Sequence, residues 1–271
     1  MRNHAALRRA AFVIVVSLSA VPSLVAQSAT DSRIWIGREK ELEEYIKTAE
    51  IESVKDIGVG VTKPQKATLK PGGPIEAITW KRLPPGRKQG YWESYKSEIA
   101  AYELDKLLGL GMVPPTVEKR YKGDLGAAVM WCQNVRSFKD MGGPPKDIPP
   151  QQVARWNKQI IRTKMFDNLI YNMDPNLGNW LVDQDWNLIL IDHTRSFTGE
   201  KKMAHEDMKR IDPVLWEKME GLTEESLQAA LGEWVGKREI KAMIERRDKM
   251  REIIANLVKT TAGGEAAVFV K

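Results

Sequence analysis

Residues 171–197, YNMDPNLGNWLVDQDWNLILIDHTRSF, decide how the chain is read. Apolar residues alternate or run together in NWLVD and LILID, and the QDWN between them has a turn composition. The segment therefore reads as strand, turn, strand. Asp174 and Asn179 lie just before the first strand, and Asp192 ends the second. An antiparallel hairpin brings its open ends together, so these oxygen-bearing side chains are expected at one mouth. Each of them alone reads as a loop cap, whereas the set reads as a site.

Outward from this hairpin, the preceding 151–171 has a helical pattern, and the chain after about 203 reads as helices throughout. LTEES supplies Thr223 as an N-cap with acids in the first turn. The front half differs. A charged helix over 38–50 is followed by strand patterns in VKDIGVGV, KATLK and IEAITWK, with RLPPGRKQGYW reading as a loop. SEIAAYELDKLLGLG reads as a helix with a Gly stop and Pro114–Pro115 beyond it. PTVEKRY and GAAVMWC read as two more strands. MGGPPKDIPPQQ, 141–152, is the richest Pro/Gly stretch and the natural linker. The expectation is an α+β chain of two unlike lobes around a ligand-holding cleft.

The first residues read as an export signal. Arg2, Arg8 and Arg9 precede the apolar AAFVIVVSLSAV, and small residues lead to a cleavage point at Ala26. The apolar run is short and quickly broken for a spanning helix, so no transmembrane span is expected in the mature chain, with an uncleaved membrane anchor as the alternative. The expected organisation is thus 1–26 signal, 27–140 N-lobe, 141–152 linker and 153–271 C-lobe, in an exported protein, periplasmic or secreted. Removing the signal takes away three Arg and no acid, so the formal charge falls from +6 to +3. That mild excess has no aromatic-interleaved basic tract, which argues against a nucleic-acid partner. Cys132 is the only cysteine, so no intrachain disulfide forms, and its apolar context AAVMWC reads as a buried small residue.

Several chemistries are excluded by what is missing. There is no P-loop and no G-x-S-x-G elbow. Past the signal only His193 and His205 remain, too few for a His-rich zinc site. DQDWN imitates the start of a calcium loop, but Leu188 and Thr194 occupy the positions that need Gly and Glu. An oxygen-ligand site for Mg²⁺ or Mn²⁺ is what remains. Asp174 and Asn179 have the D-x-x-x-x-N spacing of a kinase catalytic loop, in which the Asp takes the acceptor proton and the Asn holds metal. Asp192 follows after a hairpin, where kinases carry their second metal-binding Asp. Lys81 ends a strand, as a phosphate-binding lysine would, and Glu98 and Glu103 on the next helix both qualify to hold it. Gly58 and Gly60 before Lys63 fit a loop covering the phosphates.

These residues resemble a known group. SEIAAYELDKLLGLGMVPPTVEKRY, 97–121, is similar to the helix and following strand of the secretory-pathway kinases of the Golgi casein kinase and xylosylkinase type. NMDPNLGNWLVD with LILIDHTRSF is similar to their catalytic segment, and also to that of type II phosphatidylinositol 4-kinases and HipA-like kinases. The resemblance spans 55–200 with local gaps. It implies a two-lobed, atypical protein-kinase-like fold that binds ATP with Mg²⁺ or Mn²⁺. It implies Asp174 as catalytic residue, Asn179 and Asp192 as metal ligands, and Gly58, Gly60, Lys63, Lys81 and Glu98 at the nucleotide. It also decides for Glu98 over Glu103. Asp174–Pro175–Asn176 stands where many relatives have Asp-Arg-His, and His193 follows Asp192 in place of Phe-Gly.

The expected function is an exported, metal-dependent phosphotransferase that moves the ATP γ-phosphate to a hydroxyl acceptor on protein, glycan or lipid. The competing readings are a non-catalytic nucleotide-binding pseudokinase and a periplasmic interaction protein using its C-terminal helices.

Overall fold

A computed structural model describes residues 33–58, 64–88, 90–174 and 176–270. The export signal, Gly60 and Lys63 lie outside the described residues. The described residues open with α1 (Glu39–Thr48), β1 (Ile51–Asp56), β2 (Gln65–Leu69), β3 (Ala77–Lys81) and a small hairpin of β4 (Gly86–Lys88) and β5 (Tyr91–Glu93). It continues with α2 (Tyr95–Leu108), β6 (Thr116–Tyr121), β7 (Asp124–Met130) and β8 (Arg136–Ser137). The rest is α3 (Val153–Ile170), β9 (Trp180–Val182), β10 (Leu188–Leu190), α4 (Pro213–Glu220), α5 (Glu224–Leu231), α6 (Lys237–Thr260) and α7 (Glu265–Val268).

The first lobe is an antiparallel five-stranded sheet in the order β1-β2-β3-β7-β6. Its central strands β3 and β7 carry Ile78, Trp80, Ala127, Ala128, Val129 and Met130 as buried residues. β3 and β7 approach closely beside Lys81, where a Cβ on Gly126 would stand 2.6 Å from the Lys81 carbonyl oxygen. A side chain there would push the end of β3 away, so Gly126 is required. α1 packs against β6, and Lys119 of β6 locks the contact. Its ammonium donates to the carbonyls of Ile46, Lys47 and Ala49 at 2.7–2.9 Å, at the unsatisfied C-terminus of the helix.

α2 is fixed at both ends. Ser94 caps its N-terminus by accepting from the Lys96 N–H at 3.0 Å, and Gly109 closes it in the left-handed region at φ +62°. Just beyond, the Asp105 carboxylate accepts N–H bonds from Gly111, Met112 and Val113 at 2.9–3.1 Å. Burial pushes this carboxyl up to about 7, against the pull of those three amides. One face of α2, with Ala100, Ala101, Tyr102 and Leu104, belongs to the large core of the second lobe. The helix therefore joins the lobes while its first turn faces the cleft.

The second lobe is helical around a three-stranded sheet in the order β10-β9-β8. The hairpin is where the sequence places it, with Ile189 opposite Leu181 and Leu190 opposite Trp180. Its turn is held by Asp183, which accepts from the N–H groups of Asp185 and Asn187 and from the Asn187 amide at 2.7–2.9 Å. Asp183 is thus committed to the turn, as a polar turn rather than a calcium loop requires. Ile189 joins the core of the first lobe, with Leu181 and Ile191 packed against it. In the helices beyond, Thr223 forms a full capping box with Ser226.

Four sequence expectations need adjustment. The segment expected as a loop, RLPPGRKQGYW, contains most of the β4–β5 hairpin; short strands with Gly and Lys carry little periodic signal. The first strand begins at Ile51 rather than Val54, because its register is set by pairing with β2. The helices begin only at Pro213, as 203–212 is a turn-rich segment. β8 already pairs with β9, so the chain leaves the first sheet at 131–135, ahead of the Pro/Gly-rich 141–152.

Candidate active site

The cleft between the lobes has a volume of about 470 Å³. Its apolar wall is formed by Met130, Cys132, Val135, Leu181 and Ile191, at the crossing between the sheets. Burial pushes the Cys132 thiol up to about 12, so it remains a protonated wall residue rather than a nucleophile. The polar end is lined by Lys81, Asp174, Asn179, Asp192, Thr194 and Arg195.

Lys81 leaves the end of β3 and is almost fully buried. Its ammonium lies 2.5 Å from Glu98 Oε1 and 2.9 Å from Asp192 Oδ1. Burial alone would lower the Lys81 ammonium; the carboxylates of Asp192 and Glu98 overcome that and raise it above its ordinary value. Burial likewise favours the neutral form of Glu98, but Lys81 and neighbouring His193 bring it down to about 2. The second Glu98 oxygen accepts the His193 backbone N–H at 3.0 Å, which ties α2 to the residue following Asp192. Glu103 instead pairs with Lys106 at 3.0 Å, away from Lys81.

Asp192 has φ +64°, a conformation disfavoured for a side chain with a Cβ. It turns the chain sharply out of β10, and Thr194 donates to its Oδ1 at 3.1 Å. Ile191 N–H donates to the Asn179 carbonyl at 3.0 Å, which closes the open end of the hairpin. Asn179 in turn donates through its amide to the Asp174 carbonyl at 3.4 Å. The three residues that the sequence reading placed at one mouth thus line one cleft.

Asp174 is held from two directions. Its backbone N–H donates to Asn172 Oδ1 at 3.2 Å, and the Asn172 amide donates to buried Asp167 at 3.0 Å. The other Asp167 oxygen lies 3.2 Å from His205 Nε2, while Asn168 clamps the His205 backbone through both its N–H and its carbonyl. The Asp174 carboxylate itself receives Arg195 Nη1 at 3.3 Å. Sequence reading missed Arg195, Glu93, Asn172 and Asp167. None carries a spacing signal; they are brought in by the β4–β5 hairpin and by the left-handed turn at Tyr171, φ +53°.

Among the described residues, no three His, Cys, Asp or Glu side chains converge to hold a metal unaided. The donor set nevertheless suits a hard cation. Asp192 Oδ2 and Asn179 Oδ1 are oxygens without a protein hydrogen bond among the described residues, and both residues line the cleft. Mg²⁺ and Mn²⁺ commonly take only one or two carboxylates from a protein and complete their shell with phosphate oxygens and water. Gly58 has φ +73°, and the cleft is lined by Ile57 before it and by Pro64, the next described residue after it.

No family model matches the chain, and no curated protein matches it by sequence. Solved structures do. The Golgi casein kinase superposes with a TM-score of 0.64 at 16% identity, covering 86% of this chain and 79% of that one. The Golgi casein kinase with Mn/ADP bound gives 0.63 at 15%, covering 87% of this chain and 79% of that one. Hydra Fam20, solved with sugar, gives 0.66 at 14%, covering 86% and 92%. At such identities the likeness is one of fold. The chain shares the two-lobed α+β fold of these kinase structures, and the fold class expected from 97–121 and 171–197 is borne out.

Proposed function

We propose that the chain is an exported, metal-dependent phosphotransferase that moves the ATP γ-phosphate to a hydroxyl on a protein, glycan or lipid acceptor. One observation carries the reading: a buried lysine held between Glu98 and Asp192 in a cleft that Asp174 and Asn179 also line. A lysine placed only for stability has no need of two carboxylates at the base of an open cleft, since a buried ion pair contributes little net stability. A Golgi casein kinase structure of the same fold has Mn/ADP bound, and this supports ATP and Mg²⁺ or Mn²⁺ as ligands of the cleft here. Export is supported by the leader pattern of 1–26.

In this reading the apolar wall at 130–135 takes the base, and Gly58, Gly60 and Lys63 belong to the loop over the phosphates. Lys81, oriented by Glu98, binds phosphate oxygens. Asp192 and Asn179 hold the cation, which when bound neutralises the phosphate charge. Asp174 orients the acceptor hydroxyl and takes its proton. Catalysis is then positioning and electrostatics on a prearranged frame. The test is ADP release with Mn²⁺ or Mg²⁺ in the presence of candidate acceptors. Asp174→Asn is expected to lower turnover by at least about 10²-fold with ATP affinity unchanged, matching the scale of a lost general base. Equal turnover in the variant removes Asp174 from its role.

A further inference from the structure

Arg195 is three residues beyond Asp192, yet its side chain is organised by the other lobe. Its Nε and Nη2 both lie 2.8 Å from Glu93 Oε1, and Glu93 is almost completely buried at the end of β5. The guanidinium also stacks 4.5 Å from the ring centroid of Tyr91 on the same hairpin. Two donors and one face are therefore fixed. The remaining terminal nitrogen, Nη1, reaches Asp174 Oδ2 at 3.3 Å, in the cleft. One main-chain and one side-chain bond brace the same contact between lobes: Ser94 N–H donates to the Thr194 carbonyl at 3.0 Å, and the Ser97 hydroxyl donates to the Ser196 carbonyl at 3.2 Å.

This is more apparatus than a surface ion pair needs. A guanidinium that stays always charged, gripped at one edge and aimed at the acceptor side of the cleft, is preorganised to meet charge that develops there. The nitrogen that touches Asp174 stands beside the place where the acceptor oxygen and the transferred phosphoryl must meet. From this geometry we propose that Arg195 is a catalytic residue: its Nη1 donates to the phosphoryl group in transit while Glu93 and Tyr91 of the β4–β5 hairpin hold it in place. The inference rests on the phosphotransferase reading. In the step, the acceptor oxygen forms the new bond to the γ-phosphorus, and the bond from that phosphorus to the bridging oxygen breaks. Its electron pair leaves on ADP, and the acceptor proton passes to Asp174. Arg195 binds the equatorial oxygens, whose charge is spread in the transition state. It also supplies the cation that the residue after Asp174, a proline, lacks.

The test uses binding as well as rate. Titrate the protein with Mn²⁺ and ADP, then with Mn²⁺, ADP and aluminium fluoride, a mimic of the planar phosphoryl in transit. The wild type is expected to bind the mimic at least about 10²-fold more tightly than ADP alone. Arg195→Gln is expected to keep ADP affinity within about threefold and lose nearly all of that preference, and Arg195→Lys to keep a small part of it. Retained ADP affinity also shows that the variant is folded. If Arg195→Gln loses ADP binding too, Glu93→Gln decides, because it frees the guanidinium without deleting it: a reduced preference supports the proposal and an unchanged one overturns it. A full preference in Arg195→Gln, or a wild type that binds ADP without preferring the mimic, overturns it as well. A folded wild type that binds no ADP removes the underlying reading, and the proposal with it.

Discussion

Replacing Lys81 with methionine tests the buried triad. The substitution preserves length and apolar stem but strands Glu98, which is 2% exposed, with no cation beside it. Breaking a buried pair by deleting one partner costs about 3–5 kcal/mol. For a chain of this size each kcal/mol lowers the unfolding midpoint by about 2–4 °C, so a fall of about 6–20 °C is expected. The pH dependence has a definite sign. In the wild type Glu98 lies at about 2, below its ordinary 4.5. Its contribution is therefore present in full above pH 4.5 and is lost as pH falls toward 2. In Lys81→Met only burial and His193 remain, and burial moves Glu98 above its ordinary value. The folded state then binds the extra proton, and stability is lost as pH rises past 4.5. The gap between variant and wild type should widen from pH 4 to pH 7. Lys81→Met with Glu98→Gln should recover most of the midpoint, since neutral partners of similar shape leave no stranded charge, and still fail to bind nucleotide. Thermal unfolding by circular dichroism at pH 4 and pH 7 measures all of this. An unchanged midpoint, or a gap that narrows toward pH 7, refutes the account of the triad.

Two further substitutions probe the supports. Asn172→Ala severs the link from Asp167 to the Asp174 backbone and is expected to lower kcat about tenfold, with KM for ATP little changed, since small misplacements of a catalytic group are expensive; equal steady-state kinetics would show that the link does not position Asp174. Asp105→Ala strands the amides of Gly111, Met112 and Val113 and is expected to cost about 3 kcal/mol or more in denaturant unfolding, with ATP affinity retained; a cost below about 1 kcal/mol would show that water replaces the carboxylate.

The hairpin, α2 and the strand ending in Lys81 were legible because each has a strong local signal: an alternating apolar pattern, a helix with a Gly stop and Pro114–Pro115 beyond it, and a lysine closing an apolar run. Asp174, Asn179 and Asp192 were legible as a set because hairpin geometry alone brings its open ends together. Helix position alone did not separate Glu98 from Glu103 as the partner of Lys81. Three-dimensional packing places only Glu98 against Lys81, because α2 turns its first turn toward the cleft. Arg195 and Glu93 lie 102 positions apart and meet only through the lobe interface, so no spacing announces them. The β4–β5 hairpin is three residues per strand, too short for a period to register. Asn172 was hidden for another reason: a turn asparagine reads as a loop residue until its partner Asp167 is known to be buried beneath it.

The most direct measurement is calorimetric titration of ATP into the protein with Mn²⁺ or with chelator, alongside Asp192→Ala. The account predicts saturable binding that needs the cation and disappears in the variant, whose fold is retained because Glu98 still holds Lys81. Binding of equal affinity in Asp192→Ala, or none in folded wild type, would contradict it.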